Sequence, residues 1–454
     1  MKKFFYALVL SGFVFSCAAN NIERNGNIII SPAPLSFDSV DRSMKSAGYW
    51  IGKIPTPDKV ILTAKEIDAF NAKTFSGSAA LNNVLKFKPQ YRRNGLALEQ
   101  KKVIAAFAKY YDGTSPSPVG RKYFSDVENN IDFKLLNSKV NVRFAMTVSY
   151  AQLRLLPSDK PLFSSLDTLD LDRVQLTQLN LGSPLAVLYA TKDNAWYYVS
   201  SEIAEGWIRA RSLAFCDKDV LEDYAQWDVF AVTVSAYSDI YADEKLTKFL
   251  DHVKMGTKLA LVNLDGDSAE VRVPAVKPDG TLGFQKAFIK SRDVSIGYLK
   301  YTQRNVLEQA FKYLNYPYGW GGSNGEQDCS GFLKQVFECF GIVLPRNSTA
   351  QSRAGVLGAQ FAKEDSDELR TEKILSNAVA GITIFYFPGH IMLYAGQDGG
   401  KPYVIHAIWG YGEDTDKYSK TYLINKVLIS TLDVGSASKK GSLLHRTTLM
   451  KIIK

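Results

Sequence analysis

The chain is poor in cysteine and histidine, with four of each in 454 residues. They form no Cys/His cluster of ligand spacing, which excludes a zinc-finger type of site. After the amino-terminal leader no run approaches the ~18 apolar residues that mark a membrane-spanning helix. No P-loop and no strand-to-helix GxGxxG fingerprint is present, so the common nucleotide and dinucleotide classes lose their signature. Lysine and arginine are spread along the chain rather than gathered in a stripe, and nucleic acid is not an expected partner. What is present is ordinary folded material: 46% hydrophobic and 22% charged residues. The length implies roughly three or four domains. The formal charge of +9 suits an anionic setting, such as an acidic polymer or a lipid surface.

The first residues, MKKFFYALVLSGFVFSCAAN, pair Lys2 and Lys3 with an apolar run from Phe4 to Phe15. This is the pattern of an export signal rather than of a folded element. The stretch Val14-Phe15-Ser16-Cys17-Ala18 resembles a bacterial lipoprotein processing site, which makes residues 1–17 a signal peptide and Cys17 the lipidation site. Phe15 is bulkier than such sites usually carry, and plain signal cleavage is the alternative. Acyl chains would hold the protein to a membrane at ~0.8 kcal/mol per buried methylene. Ala18 lacks the acidic character tied to inner-membrane retention, so a periplasmic protein anchored to the outer membrane is expected. Removing Lys2 and Lys3 leaves a charge of about +7, 53 basic less 46 acidic residues. With Cys17 set aside, Cys216, Cys329 and Cys339 remain, and an odd count in an exported protein leaves at least one free thiol.

Composition and periodicity divide the rest. Residues 18–130 read as a mostly helical amino-terminal domain: Thr63 and Glu66 form a capping-box pattern, and LALEQKKVIAAFAKYYDG predicts a helix running to Gly113. Residues 131–222 and 223–297 change to short alternating strands. Each run repeats a strand, a polar spacer, a glycine-led strand pair and a short final strand, which predicts two small β-barrels in tandem. Gly182, Trp196-Tyr197-Tyr198-Val199 and Gly206-Trp207-Ile208 of the first resemble bacterial SH3 domains. Core packing is the first reading of Trp196 and Trp207, and a ligand-facing aromatic groove the second. Residues 298–454 form the last domain. Val306, Leu307, Ala310, Phe311 and Leu314 share one helical stripe, and Phe332, Leu333, Val336, Phe337 and Phe340 share another that ends at Gly341. A polar, helical insertion is expected from Gln351 to Asn377, then the strands GITIFYF, HIMLYAG and KPYVIHAIW, giving an α+β domain.

The chemistry gathers at PYGWGGSNGEQDCSGFLKQVFECFG, Pro317 to Gly341. Asp328 is a natural N-cap, which puts Cys329 in the first turn of a helix. There the macrodipole is expected to lower the thiol pKa, and free amides to receive an oxyanion. Cys339, ten residues on among Phe337, Phe340 and Ile342, reads as buried filler too far along the axis for a disulfide. A base must come from His252, His390, His406 or His445. His390 and His406 flank GQDGGK and have residue 398 as their midpoint, so a hairpin is expected to set them on facing rungs, one ring steadying the other. His252 and His445 lack such company and are expected to be structural.

The order PYGWGG, DCSG, LPRNSTAQ, GHIMLYAG and IHA resembles the successive motifs of the NlpC/P60 cysteine peptidases, over most of Tyr301 to Trp409. The upstream pair of SH3-like regions is similar to one exported branch of that family. The resemblance implies a papain-like core that cuts peptidoglycan stem peptides, typically between γ-D-glutamate and the diamino acid. It assigns Cys329 as nucleophile, His390 as general base, His406 as third polar residue and Tyr318 as a tyrosine lining the site. Asp328 and Ser330 match positions that hold the free amino end of the stem peptide. Arg346 fits the pattern, as an ion-pair partner or a substrate contact. Gln327, the absence of an acidic residue in AGITIF, and Met392 depart from it. No metal or organic cofactor is implied. The expected partners are stem peptides or muropeptides and a membrane, and the expected state is a monomer. The first barrel is expected to limit the length of bound peptide and favour a free amino terminus. A catalytically inactive wall-binding lipoprotein, or an amidase or acyltransferase on the same fold, are the other readings.

Overall fold

In the computed structural model, which describes residues 28–32, 37, 39–415 and 419–454, Thr63 opens the helix Ala64–Gly77 with a complete capping box. Its hydroxyl accepts from the Glu66 amide, and the Glu66 carboxylate accepts from the Thr63 amide at 2.7 Å. Cys17 and the leader 1–17 lie outside the described residues. The chain forms two compact units, each assembled from segments distant in sequence.

The first unit holds the described residues up to Ala80 with Leu299–Tyr318 and Glu326–Lys454. Its sheet has seven strands in the order Ile28–Pro32, Ser419–Thr431, Lys401–Asp414, His390–Asp398, Thr383–Phe387, Leu449–Ile452 and Val356–Gln360. Only Ile28–Pro32 pairs parallel; every other neighbour is antiparallel. The helix Cys329–Glu338 packs against His390–Asp398 and Lys401–Asp414, burying Phe332, Leu333, Val336 and Phe337. Asp328 caps it through the Gly331 amide, and Gly341 beyond its end takes a left-handed φ of 74°. The α+β expectation for this region therefore holds.

The region 351–377 differs from a plain helical insertion. Val356–Gln360 adds an edge strand to the sheet, and only Asp367–Asn377 is helical. Buried Arg370 ties that helix down, donating to the carbonyl of Thr447 at 2.7 Å and of Leu444 at 3.3 Å. A polar count misses the strand because an edge strand needs only one apolar face.

The second unit holds Leu81–Tyr298 and Gly319–Gly325. It contains two seven-stranded antiparallel sheets of the same topology. Numbered within each sheet by sequence, both run seventh, first, fourth, fifth, sixth, second, third. A 3-10 turn precedes the seventh strand in each, Ala210–Ser212 and Ser291–Asp293. One core is built from Ala145, Leu153, Leu185, Val187, Val199 and Ile208, the other from Ile240, Val253, Leu259, Val271 and Ile289. Trp196 and Trp207 are both buried, as packing requires, and the Trp207 indole donates to Gln100 Oε1 at 2.9 Å. The boundary expected between residues 222 and 223 falls inside the helix Lys218–Ala225.

The expected amino-terminal domain over 18–130 is not one body. Trp50 packs on Tyr403 with ring centroids 5.0 Å apart, and Asn71 bonds both Gly341 and Val343, so these residues belong with the carboxy-terminal sheet. The helix Leu96–Phe107 belongs with the first of the tandem sheets through Gln100. It also stops six residues short of Gly113, after which Tyr111 bridges to Phe163 instead. Helix patterns reveal an apolar face but not what covers it, so the sequence cannot apportion them.

Candidate active site

The site is built from one helix tip and three adjacent strands. Asp328 Oδ1 accepts from the Gly331 amide at 2.8 Å, from Ser330 Oγ at 3.1 Å and from Arg346 Nη1 at 2.9 Å. Its Oδ2 accepts from Arg346 Nη2 at 2.7 Å. Arg346 also reaches Ser330 Oγ at 3.0 Å, so Asp328, Ser330 and Arg346 form one buried cluster at the turn that carries Cys329. Burial works against the Asp328 charge, but Arg346 and the two other donors outweigh it and hold the carboxyl below its usual range. Of the two readings of Arg346, the ion pair is the one formed. Gln351 braces the same turn, its amide donating to the carbonyls of Ser330 and Pro345, each at 2.8 Å. The Tyr318 backbone bridges to Gln327 and donates to Asn425 at 3.0 Å, which places it beside the segment leading into Asp328.

Cys329 is buried at the start of the helix, as expected, but its thiol is not the acid the macrodipole argument predicts. Burial, followed by the charge of Asp328, pushes it up to about 12. The backbone amide of Ile391, the Arg346 charge and the Ser330 amide favour the thiolate without overcoming that. A helix tip is worth a few tenths to about 2 kcal/mol, less than the desolvation of a sulfur anion.

Ile391 adjoins His390 on the strand that the helix packs against. His390 Nε2 lies 2.8 Å from His406 Nδ1, so the expected imidazole pair is present. Its register is not the expected one. The two-strand ladder pairs Asp398 with Lys401 and, beyond a bulge between Tyr394 and Gly396, Leu393 with Ile405. The turn is thus Gly399-Gly400 rather than centred on Asp398, and the two histidines sit diagonally on one face rather than on facing rungs. The bulge and the turn position shift the register together, and neither shows in a midpoint count. Burial, then His406 and Arg446, depresses the His390 pKa well below 6.5, and burial takes His406 to about 3.

Ser430 is not singled out by the sequence. Its hydroxyl lies 3.1 Å from His406 Nε2 and donates to the Thr431 carbonyl at 2.9 Å. It comes from the strand Ser419–Thr431, 24 residues beyond His406, in a run without a recognisable motif. His252 and His445 lie beside Asp251 and Asp367, at 3.7 Å and 3.8 Å. Cys339 is buried with its thiol 3.8 Å from the Gln335 carbonyl, and Cys216, Cys329 and Cys339 are all unbridged. Among the described residues no group of His, Cys, Asp or Glu has a metal-holding arrangement.

Comparison with known proteins fits this geometry. Residues 161–209 match the model of the SH3 domain (SH3b1 type), and residues 315–431 match that of the NlpC/P60 family. A gamma-D-glutamyl-L-lysine dipeptidyl-peptidase of Bacillus subtilis (strain 168) is 34% identical over 74 residues, 16% of this chain and 25% of that protein. The chain thus spans about a quarter of that relative's length. Dipeptidyl-peptidase 6 of Lysinibacillus sphaericus is 24% identical over 234 residues, 50% of this chain and 79% of that one. The structure of an NlpC/P60 endopeptidase from Photobacterium damselae subsp. piscicida superposes with a TM-score of 0.70 at 19% identity, covering 94% of this chain and 99% of that one, and so shares its fold. Residues 315–431, which contain the Cys329 helix tip and the paired histidines, are an NlpC/P60 domain.

Proposed function

We propose that the protein is a cysteine endopeptidase of peptidoglycan, cutting stem peptides at the bond between γ-D-glutamate and the diamino acid. The observation that carries this reading is the His390–His406 contact at 2.8 Å on the strand whose Ile391 amide faces the Cys329 sulfur. His390 takes the thiol proton as Cys329 Sγ attacks the amide carbon, and backbone amides of the helix tip receive the oxyanion. His390 then gives the proton to the leaving amine, and water releases the acyl group from sulfur. Raised thiol and lowered imidazole pKa values favour an uncharged resting pair, so proton transfer accompanies attack rather than preceding it.

The peptide class comes from the NlpC/P60 domain and from relatives named for γ-D-glutamyl-L-lysine cleavage. A preference for a free amino end rests on Asp328 and Ser330 at the matching positions. Asp328 is already engaged by Arg346, so Ser330 and the Asp328–Arg346 pair would act together. The second tandem sheet is proposed as another SH3-type unit on its shared strand order. Export and lipid anchoring rest on the leader with Cys17, and the proposed place is the periplasmic face of the outer membrane.

The test is digestion of a tripeptide L-Ala-γ-D-Glu-diamino acid and its amino-acetylated form, read by mass spectrometry beside Cys329→Ala protein. Release of L-Ala-D-Glu from the free peptide by the native protein alone supports the reading. Turnover by the Cys329→Ala protein at the native rate, or cleavage only at another amide, ends it.

A further inference from the structure

We infer that Ser430 is a positioning residue which, through His406, fixes the proton of His390 on Nε2, the nitrogen bonded to His406, and leaves Nδ1 with the lone pair. This rests on the reading of His390 as the base. The inference follows from proton bookkeeping along one buried row. Ser430 has a single hydroxyl proton, and its geometry spends that proton on the Thr431 carbonyl at 2.9 Å. The oxygen facing His406 Nε2 at 3.1 Å is then an acceptor, so His406 must carry its proton on Nε2. A neutral imidazole has one donor and one acceptor, which leaves His406 Nδ1 bare. His390 Nε2, 2.8 Å away, must therefore donate, and the lone pair of His390 is confined to Nδ1. With Nε2 taken up by His406, Nδ1 is the ring nitrogen left to take the thiol proton of Cys329.

The opposite arrangement uses the same heavy atoms. If Ser430 donated to His406 Nε2, His406 would hold its proton on Nδ1 and His390 would be forced to carry one on its own Nδ1. That tautomer is no base for the thiol. His406 and Ser430 are fully buried, so water does not offer a substitute partner, and burial keeps His406 neutral. The Thr431 carbonyl is thus the outer end of a row that selects between an active and an inactive imidazole. An orienting group that merely holds a ring leaves this choice open; a buried serine with its proton committed does not.

The experiment is nitrogen NMR of histidine-labelled full-length protein at neutral pH, which distinguishes Nδ1–H from Nε2–H rings without any substrate. The expected result is Nε2–H at both His390 and His406. In Ser430→Ala the His406 donor has no partner, so the Nδ1–H form of His390 should rise and kcat fall about tenfold with KM nearly unchanged. Ser430→Thr, which keeps the hydroxyl, should restore both readouts. Native protein with Nδ1–H at His406 overturns the inference, as does a Ser430→Ala protein whose tautomers do not change. An inactive native protein with Nε2–H at both rings would sink the peptidase reading and leave the proton assignment standing. If the alanine variant does not fold, the native spectrum decides.

Discussion

Asp328 and Arg346 meet through two parallel contacts, 2.9 Å and 2.7 Å, with side chains 12% and 8% exposed. The same carboxylate caps the helix that carries Cys329, so one ion pair holds both a charge and a helix tip in place. Removing the guanidinium strands a buried carboxylate, at a cost of about 3–5 kcal/mol. Arg346→Met is therefore expected to lose stability on that scale in chemical unfolding. The double variant Arg346→Met/Asp328→Asn should recover much of it. Equal destabilisation of the single and double variants would mean that the pair is not the source.

The pH behaviour follows from three signs. Asp328 has a lowered pKa when folded, so its stability contribution is present above the unfolded value of 3.8 and is lost as pH falls below it. His390 and His406 are also lowered, so the unfolded chain takes up protons first and stability declines as pH drops below 6.5. The Cys329 thiol is raised, so unfolding gains from ionisation above pH 9. Thermal stability should be greatest between about pH 6.5 and 9. His406→Gln, which cannot titrate there, should flatten the acid decline, and an unchanged slope would count against a neutral buried His406.

The uncharged resting pair makes a kinetic prediction. Alkylation of Cys329 by iodoacetamide should climb through the alkaline range, without a plateau beginning near pH 5, because the thiol sits at about 12. The ratio kcat/KM for a stem peptide should hold its value to well below pH 6.5, where His390 is still a base. A reactive plateau from pH 5 upward would instead reveal a preformed thiolate–imidazolium pair.

His406 Nδ1 lies 2.8 Å from His390 Nε2, and under the proton assignment inferred above it accepts there and orients the proposed base. His406→Ala should lower kcat by on the order of 10³-fold, since an unsteered base samples the wrong ring orientation and tautomer. His406→Asn retains an acceptor oxygen and should lose much less. Equal rates for the two variants, measured at saturating substrate, would show that the third residue is only filler.

Local chemistry is readable in the sequence and long-range packing is not. The Thr63 and Asp328 caps are legible because each uses atoms within three residues of itself. The histidine pair is legible from the turn between two apolar strands, but its register is not. Pairing slips when a bulge adds a residue, and that bulge depends on what the strand packs against. Ser430 stays hidden because it enters from a third strand. The raised Cys329 thiol stays hidden because depth is a tertiary property, and it overrules the helix tip that sequence alone displays. Likewise Trp50 and Trp207 look alike in a helix or strand pattern, yet they belong to different units.

The bulge itself offers the last test. Gly396 has φ 149°, and a Cβ built there would stand 2.9 Å from Cε3 of Trp50. Trp50 is held in turn by its indole bond to the Met44 carbonyl at 2.8 Å and by Tyr403 on the neighbouring strand, so the ring cannot yield. Gly396→Ala thus meets both a backbone that favours glycine and a fixed ring, and should cost about 1–3 kcal/mol of stability. Trp50→Leu alone loses packing, but combined with Gly396→Ala it should cost less than the sum, because the smaller side chain makes room. Unfolding curves for the two single variants and the double measure that coupling directly. Strict additivity would mean that the penalty lies wholly in the backbone. A coupling near the full cost of Gly396→Ala would identify the Trp50 ring as what keeps residue 396 a glycine, on the same strand that begins with His390.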